Sequence, residues 1–214
     1  LNLIACLGSH RVLFFSRNQH GLALDRWPWF AKRYISLHLP TEYRRERTDE
    51  EGARRFDFLF FGRIEPYKGI ERLLEAFAKV RAKRPAVALH ITGTEGYRYT
   101  TLEEADDPHI KKSICYVPDR DLPDILLGAR VVVLPYTSAT QSGVAYIGAV
   151  YGCNVACTPC ERLVEQAGYN PRMKVAANFT PDALAEAMIE SLDGWTPETG
   201  RSTLRISSGL VDIL

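Results

Sequence analysis

Short apolar runs that do not alternate with polar residues restrict this chain more than any other feature. Phe56–Phe61, Val87–Thr92, Val131–Leu134 and Val155–Cys157 are rich in Val, Ile, Leu and Phe, and Arg11–Phe15, Ile35–Leu39, Ile114–Val117 and Met173–Ala176 resemble them. A strand with one wet face alternates apolar and polar residues, whereas a strand covered on both faces has no reason to. Between the runs lie segments of helical period. In Ile70–Lys83 the residues Ile70, Leu73, Leu74, Phe77 and Val80 form one apolar stripe, and Pro85 stops it. Asp119 and Asp121 read as turn and cap residues at the helix Asp121–Leu127. Pro181–Leu192 carries Leu184, Ala187, Met188 and Leu192 on one face, with Thr180 as N-cap. Strand and helix taking turns from residue 56 to 193 predict an α/β fold, a Rossmann-like doubly wound parallel sheet.

Composition narrows the function classes. The 214 residues carry 27 Lys and Arg against 26 Asp and Glu, so there is no electrostatic ground to expect a nucleic-acid partner. The longest apolar run, Gly143–Cys153, falls short of the roughly 20 residues of a membrane span. The chain opens without Met, a basic leader or a cleavage-like site, which reads as a cytoplasmic protein beginning partway through a longer one. Five cysteines, an odd number, read as reduced thiols. Cys153, Cys157 and Cys160 lack the fourth ligand and neighbouring histidine of a closed zinc site, so no metal site is expected. His90, in mid-strand, reads as a satisfied core histidine, and His109 as a solvated residue of a charged helix. The charged run Arg44–Gly52 reads as a surface loop or linker.

Open α/β sheets bind ligands beyond the carboxyl ends of their strands, so the residues after each strand are the candidates. After Phe61 come Gly62, Arg63 and, just before the amphipathic helix, Lys68 and Gly69. The glycines allow sharp turns, and the two cations flank a helix N-terminus whose free N–H groups favour an anion. An Arg fork with a Lys point charge suits two adjacent phosphates, although two surface charges beside a loop would show the same spacing. Gly93–Gly96 is a second glycine-flanked turn, of a kind common at strand ends. After Leu134, the small and hydroxyl residues from Pro135 to Gly143 lead into a helix closing at Gly152. There Ser142, Gly143 and Val144 can present backbone N–H groups to an anion. The small residues Gly143, Ala145, Gly148 and Ala149 suit either close packing or close approach of a ligand.

Residues 60–77, Phe-Phe-Gly-Arg-Ile-Glu-Pro-Tyr-Lys-Gly-Ile-Glu-Arg-Leu-Leu-Glu-Ala-Phe, resemble the glycine–arginine and lysine–glycine segment of GT-B glycosyltransferases of family 4, or group 1. The likeness continues in order through Ile91–Gly96, Tyr116–Asp119 and the strand to Tyr136. Pro135–Gly143 is similar to a variant of the family's donor loop, and Asn154–Thr158, Glu165 and Thr180–Met188 to its closing elements. The resemblance covers residues 56–193 and implies the donor-binding, carboxyl-terminal half of a GT-B fold. It implies transfer of a sugar from a UDP- or GDP-type nucleotide-diphosphate sugar, with retention and without an obligatory metal or other cofactor. Arg63 and Lys68 would hold the diphosphate and offset leaving-group charge. Ser142, Gly143 and Val144 would add backbone donors, Gln141 would contact the sugar, Gly62 would lie among the donor-binding positions, and Gly93 would leave room for donor or sugar. The base would lie against the turn at Tyr116 and Val117.

On this reading residues 1–52 are a segment or linker from an acceptor half, 53–193 the donor domain and 194–214 a tail. The implied partners are the nucleotide sugar, an acceptor that is a glycan, a lipid-linked glycan or a small molecule, and an amino-terminal acceptor domain. Trp27, Trp29, Phe30, Lys32 and Arg33 fit either packing against that domain or peripheral membrane contact. One departure stands out. The family's paired donor-loop glutamates fall near Ala139 and Ile147, and neither is acidic. A catalytically weakened nucleotide-binding or regulatory module, or a subunit needing a separate acceptor-domain partner, is therefore the alternative.

Overall fold

The computed structural model describes residues 12–14, 25, 34–36, 54–139 and 142–197. They fall in two compact units. In the first, β1 (Val12–Phe14) pairs in parallel with β2 (Tyr34–Ser36). These strands fall within or beside the expected runs Arg11–Phe15 and Ile35–Leu39. Trp27, Trp29, Phe30, Lys32 and Arg33, the run 44–52, Cys6, Gln141 and residues 198–214 lie outside the described residues.

The second unit is a six-stranded, all-parallel sheet. Its strands are β3 (Phe56–Phe61), β4 (Leu89–Thr92), β5 (Ile110–Ser113), β6 (Ala129–Leu134), β7 (Asn154–Cys157) and β8 (Met173–Val175). They lie in the order β5-β4-β3-β6-β7-β8. Between them run α1 (Ile70–Lys83), α2 (Thr100–Glu104), α3 (Leu122–Leu127), α4 (Gly143–Val150) and α5 (Glu161–Ala167), and α6 (Pro181–Asp193) closes the unit. The central strands are as deeply covered as their lack of alternation requires: Phe58, Leu59, Phe60, Val131, Val132, Val133 and Leu134 are all fully buried. The apolar stripe of α1, with Ile70, Leu73, Ala76, Phe77 and Val80 buried, packs on α6. Thr180 caps α6, its hydroxyl accepting the Ala183 N–H at 3.3 Å. Within α4, a Cβ on Gly148 would stand 2.9 Å from a Val132 methyl, so that glycine serves close helix–sheet packing.

Three expectations are corrected. The fifth strand is Ile110–Ser113 and not Ile114–Val117: residues Leu89–Thr92 pair with Ile110–Ser113 in register, and Ile114–Val117 forms the loop at the strand's carboxyl end. This strand is an edge, where exposed Lys111 and Lys112 discourage further pairing. His109 lies in the turn before β5 rather than in a helix; its N–H donates to the Asp107 carboxylate at 2.8 Å and its carbonyl accepts the Leu89 N–H at 2.8 Å. Asp121 occupies the N-cap of α3, yet its side chain makes no capping bond, because its backbone is already helical after the 3-10 turn Asp119–Asp121. His90 is buried as expected, with Nε2 3.0 Å from the Ser113 hydroxyl.

Candidate nucleotide-binding crevice

The strand order reverses between β3 and β6. From β3 the chain steps outward through β4 to β5, then returns to the other side of β3 at β6. The loops leaving β3 and β6 therefore diverge, and the crevice between them is where an open α/β sheet takes its ligand. These are the two loops that the motifs single out.

Backbone contacts join the two loops. Gly69 has φ 68°, and a Cβ there would overlap the Pro135 carbonyl oxygen. That oxygen accepts from Arg72 Nη1 at 2.9 Å, and the Tyr67 carbonyl accepts the Thr137 N–H at 2.7 Å. The start of α1 is thus pressed against the end of β6. Gly93, with φ 144°, also serves packing: a Cβ would overlap the Gly62 carbonyl.

Lys68 ends the 3-10 turn Pro66–Lys68 and points back over Gly62, where a Cβ would lie 4.0 Å from its Nζ. Its ammonium donates to the Tyr136 hydroxyl at 2.7 Å and sits 3.9 Å from that ring's centroid. Among the described residues no carboxylate pairs with it. Burial pulls its pKa down from 10.5 to about 8. Tyr136 is itself buried, with its phenol pushed well above its ordinary range by burial. Its carbonyl accepts from the Thr158 hydroxyl at 2.5 Å, which fixes the tyrosine from the β7 side. Arg63 has a different setting. It is exposed, and its Nε lies 2.8 Å from Glu65 Oε1, over Gly96. The two expected cations therefore differ, one pre-paired with a carboxylate and one not.

Across the crevice, Ser142 is the N-cap of α4. Its N–H donates to Gln166 Oε1 at 3.3 Å, and Gln166 Nε2 donates back to the Ser142 carbonyl at 3.2 Å. The Ser142 N–H is consequently committed to Gln166, which removes it from the expected backbone donors. Gly143 and Val144 occupy the first turn, where helix geometry leaves N–H groups without intrahelical acceptors. Around Gly143 the space is open, with nothing within 4 Å of a Cβ position. Val117 is half-buried, and Tyr116 is 70 % exposed in the loop after β5. Ala139 is half-buried and Ile147 lies in the core, so neither position brings a carboxylate to the crevice. Tyr136 and Gln166 are the residues that motif reading passed over. An aromatic two residues after a buried strand and a glutamine on the inner side of α5 were their only signals.

The switch point of this parallel α/β sheet thus brings together a loop carrying a cation and a loop ending in a helix N-terminus. The family model described as "Glycosyl transferases group 1" matches residues 55–194. The chain belongs to the group 1 glycosyltransferases. A GDP-mannose:glycolipid 4-beta-D-mannosyltransferase of Xanthomonas campestris pv. campestris is 32% identical over 141 residues, which cover 56% of this chain and 40% of the relative. The chain thus spans less than half the length of that curated relative. Among solved structures, S. aureus TarM in complex with UDP matches with a TM-score of 0.69 at 13% identity, over 89% of this chain and 38% of TarM. The catalytic domain of Arabidopsis thaliana starch synthase IV, bound to ADP and acarbose, matches with a TM-score of 0.64 at 11% identity, over 92% and 51% of the two chains. The fold is the Rossmann-like half of a GT-B architecture. No helix among the described residues is long and apolar enough to cross a membrane.

Proposed function

We propose that this chain is the donor-binding half of a glycosyltransferase that takes a sugar from a nucleotide-diphosphate sugar of the GDP or UDP type. The observation that carries the reading is Lys68, a half-buried ammonium without a carboxylate partner among the described residues, at the crevice where α4 opens its first turn. A buried cation without a counter-ion is costly, and an anionic ligand relieves that cost. One phosphate of a diphosphate meets Lys68, and its neighbour meets the N–H groups of Gly143 and Val144. Arg63 joins after exchanging Glu65 for phosphate. Together these charges stabilise the departing nucleoside diphosphate, the role a metal ion takes in other transferases. The nucleobase rests against the loop at Tyr116 and Val117. Acceptor binding falls to an amino-terminal domain, so the isolated chain binds donor better than it turns it over. The acceptor is a glycan, a lipid-linked glycan or a small molecule. The work is cytoplasmic, with peripheral membrane contact where the acceptor is a lipid.

GDP-mannose is the first donor to test, because it stands in the name of the curated relative. Calorimetric titration with GDP and UDP is expected to give binding that Lys68→Ala and Arg63→Ala each weaken. Absence of binding, or binding indifferent to both changes, refutes the reading. Retention is the stereochemistry we propose. With the α-linked donor GDP-mannose, an α-linked product of the full-length enzyme in proton NMR supports it. A β-linked product, of the kind in the relative's name, means inversion and overturns it. The uncharged Ala139 and Ile147 favour a second reading, a nucleotide-binding module with weakened transfer. Transfer by the full-length enzyme excludes it.

A further inference from the structure

We infer that Tyr136 is a positioning residue for the donor diphosphate: its hydroxyl and ring hold the Lys68 ammonium over Gly62. The inference rests on the reading of this crevice as a diphosphate site. A lysine ammonium has three N–H donors on a flexible stem, and each bond it makes must offset lost rotamer freedom. Tyr136 takes one donor at 2.7 Å and offers its ring to the charge at 3.9 Å. The Tyr67 and Tyr136 rings meet in a T-shaped pair with centroids 6.1 Å apart, and the ammonium is 5.3 Å from the Tyr67 centroid. The two remaining N–H bonds have no acceptor among the described residues and are left for the ligand.

The tyrosine is suited to this task by being immobile. It is 1 % exposed, its carbonyl is held by Thr158, and the residues on either side of it bond across to Arg72 and Tyr67. Gln166 holds the Ser142 backbone through both its N–H and its carbonyl, while the buried Ser142 hydroxyl makes no hydrogen bond among the described residues. Lys68 is thus fixed by Tyr136 and the N-cap of α4 by Gln166, so the point charge and the helix N-terminus meet adjacent phosphates without rearrangement. The ionisable neighbours of Lys68 are Tyr67 on its own loop and Tyr136 on the β6 loop, with Cys160 before α5 beside Tyr136. Burial pushes the Tyr136 phenol and the Cys160 thiol upward, so both stay neutral while Lys68 titrates.

The test is GDP titration between pH 7 and 9 on the full chain, as wild type, Tyr136→Phe, Lys68→Ala and the double variant. Wild-type affinity is expected to fall above pH about 8, where Lys68 loses its proton. Tyr136→Phe keeps the ring and removes the acceptor, so affinity at pH 7 is expected to drop roughly five- to tenfold. Removing an acceptor from the ammonium disfavours its charged form, so the break moves to lower pH. In the double variant Tyr136→Phe is expected to add no loss to that of Lys68→Ala. Wild-type affinity and an unmoved break in Tyr136→Phe overturn the inference, as does an equal loss in the Lys68→Ala background. Wild type that binds neither GDP nor UDP overturns the diphosphate reading itself. If Tyr136→Phe fails to fold, nuclear Overhauser contacts between the Lys68 Cε protons and the Tyr136 ring are followed in wild type with and without GDP. A contact kept in both states supports the inference, and its absence overturns it.

Discussion

Two glycines bordering the crevice are expected to fail in opposite ways when each is given a methyl group. Gly69→Ala forces an L-residue to φ 68°, which costs about 1–2 kcal/mol. Its Cβ also overlaps the Pro135 carbonyl oxygen, so the loops must separate. Separation strains the bond from Arg72 Nη1 to Pro135 and that from Thr137 N–H to Tyr67, at about 0.5–1.5 kcal/mol each. The sum is a loss of about 2–5 kcal/mol, a large part of the stability of an ordinary domain. Gly143→Ala meets open space, and Gly143 does not have a positive φ. Alanine is the better helix former, so stability is expected to hold or rise by less than about 1 kcal/mol. A methyl group in front of the first turn of α4 nonetheless blocks close approach of a phosphate, and GDP affinity is expected to fall about tenfold, or about 1.4 kcal/mol. Urea unfolding and calorimetric GDP titration of the same two preparations make the comparison. Gly143→Ala that binds GDP like wild type refutes the use of α4 as a phosphate site. Gly69→Ala with an unshifted unfolding midpoint refutes the close fit between the loops.

The contrast between these glycines marks how far sequence alone reaches. Fully covered strands announce themselves because nothing selects for alternation, so β3, β4, β6 and β7 are legible within one or two residues. The edge strand β5 is not. Ile110-Lys-Lys-Ser is less apolar than the Ile114–Val117 stretch that follows, and it is a strand only because β4 offers it a partner. In the crevice, the spacing of Gly62, Lys68 and Gly69 within one loop carries the site. The hydrogen-bond partner of Lys68 comes from 68 positions further along the chain, at Tyr136. The grip of Gln166 on Ser142 likewise spans 24 positions. Such partners are set by the strand order, which brings the β3 and β6 loops together, and no local spacing records it. Gly93 shows a related limit: the local motif does not record its packing role, in which a Cβ would overlap the Gly62 carbonyl.

Two stability measurements test the fold around the crevice. Thr180→Ala removes the hydroxyl that accepts the Ala183 N–H at 3.3 Å, and thermal or urea unfolding is expected to show a loss of about 1 kcal/mol. An unchanged midpoint would mean that α6 does not depend on this cap. The second concerns His90, whose pKa falls from 6.5 to about 4, chiefly by burial and then by the charges of Lys111 and Arg55. Between those values the unfolded chain binds a proton that the native state refuses, so stability is lost as pH falls from 6.5 towards 4. Above pH 6.5 His90 is neutral in both states and contributes no slope. From pH 7 to 5 this amounts to about 1–2 kcal/mol, which His90→Asn is expected to remove while the carboxylates common to both proteins titrate alike. The difference between wild type and variant therefore isolates the histidine. Parallel stability curves for the two proteins across pH 7 to 5 would mean that His90 accepts its proton in the native sheet as readily as in the unfolded chain.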